Sequence, residues 1–358
     1  GVHVTVTTGT AGAGTRVYPF AVERCCPAER LQMLVRDTDV VHLQTFHGGL
    51  LLAARRAGKK IVATYRDLSP ICPKGTKWKQ TGPCLHPASI TVCVPCLKAA
   101  QQPVARRLCR PPGKAALSLL MDANVCTGAF SLRRFPLRRL RMIPNGVDTD
   151  FFVPRRGSEG GGVCTIVFVG RLIPEKGGDL LLHAASLCAA RGHAFRVSIC
   201  GEGPDLPRLR AIVDSSGLED VVAFHGTLEG QALPQAMQRA EIAVVPSRWD
   251  EPFGLTAVEA MSCGLAVVAA DVGGLGPIVN EAGLTFPRED AAALASHIER
   301  LIADPALRRE LGRAGRALAI RKYDWRRMGG AYLRLYRELI GTGPQHPSRS
   351  SSAFISPG

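Results

Sequence analysis

Short apolar strands alternate with helical segments throughout the second half of this sequence. Strands rich in Val, Ile and Ala, several of them ending in glycine, are predicted at 165–170, 196–203, 221–226, 241–247 and 265–271. Helical spacing is found in the segments between them, at 177–192, 205–216, 230–240 and 254–263. Nearly continuous apolar strands separated by helices indicate a parallel sheet covered on both faces, and hence a doubly wound α/β domain.

The first half has the same rhythm with less regular spacing. Its strand candidates are 3–8, 39–44, 60–65, 123–128 and 140–146. An irregular stretch rich in Cys, Pro and Gly, residues 67–100, interrupts the pattern. We therefore predict an α/β fold with two doubly wound, Rossmann-like domains facing each other across a cleft, where ligands bind beyond the carboxyl ends of the strands.

The composition of two segments predicts where the domains begin and end. The polar, glycine-rich segment 153–163 is typical of a linker, and the last residues have the composition of a disordered tail. Residues 323–340 have the spacing of an amphipathic helix. The predicted organisation is an N-terminal domain 1–152 with a Cys-rich insert at 67–100, a C-terminal domain 153–322, a closing helix 323–340 and a disordered tail 341–358.

The positive charge of the chain is concentrated in the first half. The 358 residues carry a formal net charge of +15; residues 1–155 hold 23 Lys and Arg against 8 Asp and Glu, and the remainder holds 22 of each. A basic half favours an anionic partner such as a phosphate, an acidic membrane surface or nucleic acid, and the alternative is charge that reflects solubility and an Arg-rich genome. Nucleic-acid binding is not expected, because this half lacks aromatic stacking platforms and regular zinc-finger spacing.

Targeting signals are not evident in the sequence as given. It does not open with a basic segment followed by an apolar one, and it contains no uninterrupted apolar run of about 18 residues. We predict a cytoplasmic protein whose basic half can contact the anionic inner face of a membrane.

The segment "FVGRLIPEKGGDLLL" runs from a strand into a helix. The strand ends at Gly170, Arg171 and Lys176 lie in the loop, and the helix begins near Gly177. Two cations beside a helix N-terminus form an anion site, and a diphosphate fits best because both cations can reach it. The alternative is a solvated, charged loop without a ligand.

The segment "EPFGLTAVEAM" is a second turn into a helix. The free backbone N–H groups of Gly254, Leu255 and Thr256 would face outward and bind phosphate oxygens. Glu251 precedes the helix, and Glu259 lies about 12 Å from it at 1.5 Å per residue. That separation exceeds the roughly 5–9.5 Å between the two carboxyl groups of a glycoside hydrolase.

Two carboxylates this far apart suit different parts of one long ligand. A nucleotide-sugar presents sugar hydroxyls, a diphosphate and ribose hydroxyls in that order, so Glu251 would meet the sugar and Glu259 the ribose. Phe253 lies in the same turn and is included in the predicted donor site. The alternative is an acid that complements the helix dipole, together with an ordinary surface Glu.

Together these segments resemble the GT4 family of retaining nucleotide-sugar glycosyltransferases, which have the GT-B fold. The resemblance spans residues 3–340 and rests on "GRLIPEKG", "GEGP", "FHG", "EPFGLTAVEAMSCG" and "IPNGVD". It implies that Arg171 and Lys176 bind the donor diphosphate and that the two glutamates have the roles given above. It also implies base contacts around Thr227 and Leu228, and a closing helix that returns onto the first domain.

The sequence departs from the family's pattern at three places. The strand, glycine-rich loop and helix that open the family are missing, which predicts an N-terminal domain without its first strand and helix. Arg66 stands where relatives have a His near the reacting sugar; it can bind a phosphate or a hydroxyl but cannot accept a proton. His47 is a nearby alternative, and Pro277 stands where relatives often have Glu.

The insert contains four cysteines spaced by 12, 9 and 3 residues, namely Cys72, Cys84, Cys93 and Cys96. The final C-x-x-C spacing is typical of metal chelation, and a similar insert occurs in a bacterial subset of the resembled family. A structural Zn²⁺ would hold this loop, which has little apolar content. The alternatives are an iron–sulfur cluster, two disulfides or free thiols.

The predicted function is transfer of a sugar from a UDP- or GDP-sugar to an acceptor hydroxyl, with retention of configuration, in glycan, glycolipid or glycoside biosynthesis. No catalytic metal is expected, because the loop cations take the place of Mg²⁺. The catalytic candidates are Glu251, Arg171, Lys176 and Arg66, and the donor-binding candidates are Gly170, Thr227, Leu228, Phe253, Gly254, Leu255, Thr256 and Glu259. The alternatives are a nucleotide-sugar epimerase of the same fold and a degenerate protein that binds the donor without turnover.

Overall fold

The computed structural model describes residues 3–8, 21–24, 26–44, 48–79, 82–84, 86–155 and 162–341. His47, the central part of the predicted linker and all but the first residue of the predicted tail lie outside these ranges. Within them, the chain forms two α/β halves, and the predicted parallel α/β architecture is confirmed in both.

Parallel strands of the first half form a sheet with the order β3-β4-β7-β8, beside a separate parallel pair β1-β2 and a short hairpin β5-β6 in the insert. The strands are β1 Thr5–Thr8, β2 Ala21–Arg24, β3 Val40–Leu43, β4 Lys60–Tyr65, β5 Trp78–Lys79, β6 Gly82–Pro83, β7 Ala123–Cys126 and β8 Leu140–Met142. The helices are α1 Ala28–Arg36, α2 Gly48–Arg56, α3 Ile90–Ala99, α4 Val104–Leu108, α5 Arg110–Ser118 and α6 Ala129–Arg134.

The second half is built on a parallel sheet with the order β11-β10-β9-β12-β13-β14. The strands are β9 Cys164–Val169, β10 Phe195–Cys200, β11 Val222–Phe224, β12 Ile242–Val245, β13 Ala266–Ala270 and β14 Leu284–Phe286. The helices are α7 Gly178–Ala190, α8 Leu206–Ser215, α9 Ala232–Gln238, α10 Leu255–Ser262, α11 Leu275–Val279, α12 Ala291–Ala303 and α13 Pro305–Tyr323. Central strand residues such as Ile166 and Val268 are fully buried, as expected for a sheet covered on both faces.

The last described helix, α14 (Trp325–Leu339), packs against the sheet of the first half. Nδ1 of His42 lies 2.6 Å from the hydroxyl of Tyr336, and the hydroxyl of Tyr332 lies 2.9 Å from that of Thr64. Burial, reinforced by the charge of Arg66, lowers the pKa of His42 to about 4, so this imidazole is neutral at pH 7. The chain therefore crosses from the second half back onto the first.

Within the described ranges, no helix combines the length and hydrophobicity that a membrane span requires.

Candidate active site

The strand order of the second sheet reverses between its two central strands. The chain runs outward from β9 through β10 to β11, then returns to place β12 on the other side of β9. In an open parallel sheet, ligands bind beyond the carboxyl ends of the strands at such a switch point. The loops that follow β9 and β12 carry the two predicted motifs, so the topology brings those motifs together.

Contact between these two loops requires a glycine at one position. Gly177 follows a 3₁₀ turn, Pro174–Lys176, and has a left-handed φ of 71°. A Cβ at this residue would lie 2.1 Å from the carbonyl oxygen of Pro246, in the loop after β12. Only a residue without a side chain therefore lets the first motif lie directly against the second.

The two motifs are joined by an ion pair. Nζ of Lys176 donates to Oε1 of Glu251 at 2.7 Å, and the hydroxyl of Ser247 donates to the same oxygen at 2.5 Å. The Lys176 ammonium also lies 5.5 Å from the centre of the Trp249 ring. Because Glu251 is only 8% exposed, these two donors compensate for the loss of water around its carboxylate.

Helix α10 begins directly after this carboxylate. Its N-cap is Gly254, with φ of 126°, and no side chain caps the first turn. The first N–H groups of a helix have no partner within the helix, so this turn keeps donors available for an anion. The first half approaches the same point, because a Cβ on Gly128 would lie 2.5 Å from the carbonyl oxygen of Pro252. The site thus lies where the two halves meet.

Glu259, one helical turn further along α10, is half-buried. Burial raises the pKa of its carboxyl group to about 7. Within the described residues, no hydrogen bond or ion pair reaches this side chain. A carboxyl group in this state gains from any ligand that supplies hydroxyl donors to its ionised form.

The other predicted site residues differ in their exposure and in what they pack against. Arg171 and Thr227 are exposed in the loops after β9 and β11, and Leu228 packs partly against the core of the second half. Phe253 is buried against Tyr323, with ring centres 5.5 Å apart, so its ring has a packing role. Arg66 is exposed just after β4.

Gly170 follows the last residue of β9. A Cβ added to Gly201 would lie 1.9 Å from the carbonyl oxygen of Gly170, so the two backbones are in close contact here. Burial and, as the smaller cause, the charge of Arg66 lower the pKa of His42, and the same charge acts on Tyr332 of α14. No hydrogen bond or ion pair joins Arg66 to the Lys176–Glu251 pair among the described residues.

Three site residues were not anticipated from the sequence. Ser247 and Trp249 flank the switch point in "PSRWDEP", where an aromatic residue and a hydroxyl next to the predicted acid were the available signal. Lys74, in the insert, forms an ion pair with Glu175 of the β9 loop at 3.2 Å. This pair crosses between the halves, and nothing in the local sequence of the insert indicates its partner.

The four cysteines of the insert lie near one another. Burial raises the pKa of both Cys93 and Cys96, and the charges of Cys72 and Cys84 raise them further. The backbone N–H of Lys77 donates to Sγ of Cys72 at 3.4 Å, and all four residues are free thiols. Among the described residues, however, no group of three or more Cys, His, Asp or Glu side chains is arranged to hold a metal ion.

The zinc site stays a prediction, and metal analysis of the purified protein tests it. If the four thiols close around a structural metal, the protein should carry about one zinc or iron per chain, and a chelator should lower its Tm. Protein without metal, with thiol reagents titrating Cys72, Cys84, Cys93 and Cys96, would contradict the site. Cys109, an exposed cysteine outside the cluster, serves as the reference for an ordinary thiol.

Comparison with known proteins agrees with this geometry. Residues 155–318 match the family model for glycosyl transferases group 1. This part of the chain is similar to group 1 glycosyltransferase domains. The chain is 37% identical over 222 residues to the D-inositol 3-phosphate glycosyltransferase of Acidothermus cellulolyticus, covering 56% of this chain and 48% of that protein. It spans about half the length of the curated relatives it matches.

Solved structures extend the comparison to both halves. Sucrose-phosphate synthase from Thermosynechococcus elongatus superposes with a TM-score of 0.65 at 25% identity, covering 88% of this chain and 79% of that one. HepE from Anabaena, in complex with UDP-glucose, superposes with a TM-score of 0.67 at 19% identity, covering 89% and 86%. The fold is therefore GT-B, with two Rossmann-like α/β halves, as predicted from the sequence.

Proposed function

We propose that this protein is a glycosyltransferase that moves a sugar from a UDP- or GDP-sugar to a hydroxyl group of an acceptor, with retention of configuration. The observation that carries the proposal is the meeting of the two motifs at the switch point, with Lys176 paired to Glu251 beside the open first turn of α10. The group 1 match over residues 155–318 and the UDP-glucose bound by HepE support it.

The donor diphosphate would lie between the cations and the helix. As the sugar departs, negative charge develops on the leaving diphosphate, and Arg171, Lys176 and the N–H groups at the start of α10 stabilise it. Of these groups, Lys176 is preorganised, because it is already held by Glu251 at 2.7 Å. We propose that these protein cations, rather than a metal ion, carry this role.

The two glutamates would hold the ends of the donor. Glu251, at the mouth of the β12 loop, accepts hydrogen bonds from the sugar hydroxyls, and Glu259 accepts them from the ribose. Transfer to the same face of the sugar does not require a protein base on that face, so we assign none. Base contacts around Thr227 and Leu228, and contact of the basic half with an anionic membrane, stay predictions.

A panel of UDP- and GDP-sugars in a thermal-shift assay tests the proposal first. A ligand that binds only the folded protein raises the Tm. At 100 times its Kd, it increases the free energy of unfolding by about 2.7 kcal/mol. We expect one base to be clearly preferred, and slow release of free sugar when that donor is incubated alone. Failure of every donor to raise the Tm would contradict the proposal, and an epimerised sugar in place of a hydrolysed one would indicate an epimerase.

A further inference from the structure

A buried ion pair lies behind the two loops that carry the donor motifs. Asp179, in the first turn of α7, is 5% exposed and faces Arg248 of the loop after β12. Nη1 and Nη2 of Arg248 donate to its two carboxylate oxygens at 2.6 and 3.0 Å, which is the bidentate geometry of a strong pair. Burial raises the pKa of Asp179, but the bonds from Arg248 and Arg208 lower it below its usual range, so the carboxylate is ionised.

The same arginine holds the turn that carries Lys176. Nη1 of Arg248 also donates to the carbonyl oxygen of Pro174 at 3.1 Å, and its backbone N–H donates to the carbonyl oxygen of Glu175 at 2.8 Å. Lys176 is the last residue of this 3₁₀ turn, and Glu251 stands three residues beyond Arg248. One arginine thus connects the two loops beside both members of the Lys176–Glu251 pair.

Most of the guanidinium of Arg248 is directed at protein atoms. Besides its bonds to Asp179 and Pro174, its Nε lies 3.4 Å from Oε1 of Glu289, so little remains of the five donors that an arginine has. Arg288 fixes the same loop from another side, because its Nη1 donates to the carbonyl oxygen of Arg248 at 2.8 Å. These contacts are those of a brace within the protein and leave little for a ligand.

We propose that Arg248 is a positioning residue, anchored by Asp179, that sets the Lys176 ammonium against the donor diphosphate. The inference rests on the proposed function, which assigns that diphosphate to Lys176 and the start of α10. Lys176 reaches Glu251 only while its turn lies against the β12 loop, and Arg248 joins the two. A displacement of about 1 Å in a reacting group can cost about 100-fold in rate. Loss of the brace should therefore lower turnover, although it removes no group assigned to the donor.

Turnover of conservative variants tests this role, with release of free sugar from the preferred donor as the readout. Arg248→Lys keeps the charge and removes the planar fork, so kcat should fall about 10-fold or more, with a smaller change in the Kd of the donor. Asp179→Asn keeps the shape and removes the charge, and should have the same effect. Arg208→Ala is the matched control, because Arg208 also pairs with Asp179 at 3.0 Å but is 47% exposed and bonds to neither loop. Its kcat should be close to that of the wild type.

Combination with Lys176→Ala shows whether the effect passes through Lys176. If Arg248 acts by placing that ammonium, the two changes are not additive, and Arg248→Lys should lower the kcat of Lys176→Ala by less than about 2-fold. An equal fold-loss in both backgrounds would overturn the positioning role and leave the proposed function intact. The same holds for an Arg248→Lys protein with the kcat of the wild type, or for an equal loss in Arg208→Ala.

Hydrogen exchange provides a readout that needs no turnover, and melting curves verify that each variant is folded. The backbone N–H groups of Lys176 and Gly177 donate to carbonyl oxygens within the turn, at 3.0 and 3.2 Å. They should exchange faster in Arg248→Lys and in Asp179→Asn than in the wild type or Arg208→Ala. Exchange at the wild-type rate in both variants would contradict the brace. A wild type that neither binds nor hydrolyses any donor would refute the proposed function and, with it, the catalytic part of this role.

Discussion

Replacing Lys176 by Ala should lower turnover about 100-fold or more, because loss of one preorganised charge-stabilising donor costs about 2.7–4 kcal/mol in the transition state. It should also lower the Tm. Lys176 is the cation that holds Glu251, at 2.7 Å, and without it a buried carboxylate keeps only the hydroxyl of Ser247. Breaking a buried ion pair by removing one partner costs about 3–5 kcal/mol when the remaining charge is left unpaired, and the Ser247 hydroxyl reduces that cost here.

Two further variants separate the effects of this change. Arg191→Ala removes another 2.7 Å ion pair of the same half, with Glu299, but Arg191 is exposed and the change should leave turnover and Tm nearly unaltered. Glu251→Gln combined with Lys176→Ala should recover most of the lost Tm without restoring turnover. A Lys176→Ala protein that turns over like the wild type would refute the diphosphate assignment.

Donor binding should strengthen as the pH rises through about 7. The pKa of Glu259 in the free protein is about 7 because of burial, and hydrogen bonds from ribose hydroxyls favour the ionised form. Below pH 7 the carboxyl group of Glu259 must therefore lose its proton on binding. As the pH decreases from 7, the affinity should fall about 10-fold per pH unit, until the pH reaches the lower pKa that Glu259 has in the complex. Above pH 7 the affinity should be constant.

The pH experiment needs a ligand that does not titrate in the same range. A nucleotide-sugar meets this need, whereas the terminal phosphate of a nucleoside diphosphate takes up a proton near pH 6. Cys263, one turn beyond Glu259, stays protonated because burial raises the pKa of its thiol to about 12. Glu259→Gln should bind weakly at every pH. Unchanged pH dependence in this variant would assign the effect to another group.

Stability provides an independent check on the same carboxyl group. Its pKa is about 7 when folded and 4.5 in an ordinary environment, so ionisation opposes folding. The penalty is absent below pH 4.5, grows between pH 4.5 and 7, and is complete above pH 7. Glu259→Gln should therefore raise the Tm of the ligand-free protein at pH 8 and leave it unchanged at pH 4. A lower Tm at pH 8 would show that the side chain has a structural partner.

Local sequence patterns predicted the elements that carry the proposed donor site. The apolar strands 165–170 and 241–247 correspond to β9 and β12, and each is followed by a loop with charged residues and a glycine. Because parallel strands end at one edge of a sheet, Lys176 and Glu251 could be expected near each other. Their direct pairing at 2.7 Å depends on Gly177 passing the carbonyl of Pro246, which no local pattern reveals.

Features that depend on distant packing were not predictable in this way. Glu259 has an ordinary helical sequence around it, and its raised pKa results from burial within the folded second half. The Lys74–Glu175 pair joins residues from different halves, and the insert has no regular periodicity to indicate its position. The strand β14 and the helices α11 to α13 follow the last motif and were not resolved as separate elements from sequence.

The order of the donor along α10 is the central claim, and one titration tests it most directly. UDP or GDP, whichever raises the Tm of the wild type, is titrated at pH 8 into the wild type, Glu259→Gln and Glu251→Gln. We predict that Glu259→Gln loses about 10-fold or more in affinity, because it removes charge-assisted bonds to the ribose. Glu251→Gln should bind the nucleoside diphosphate like the wild type while its turnover falls. Equal loss in both variants, or no loss in either, would contradict the sugar–diphosphate–ribose order.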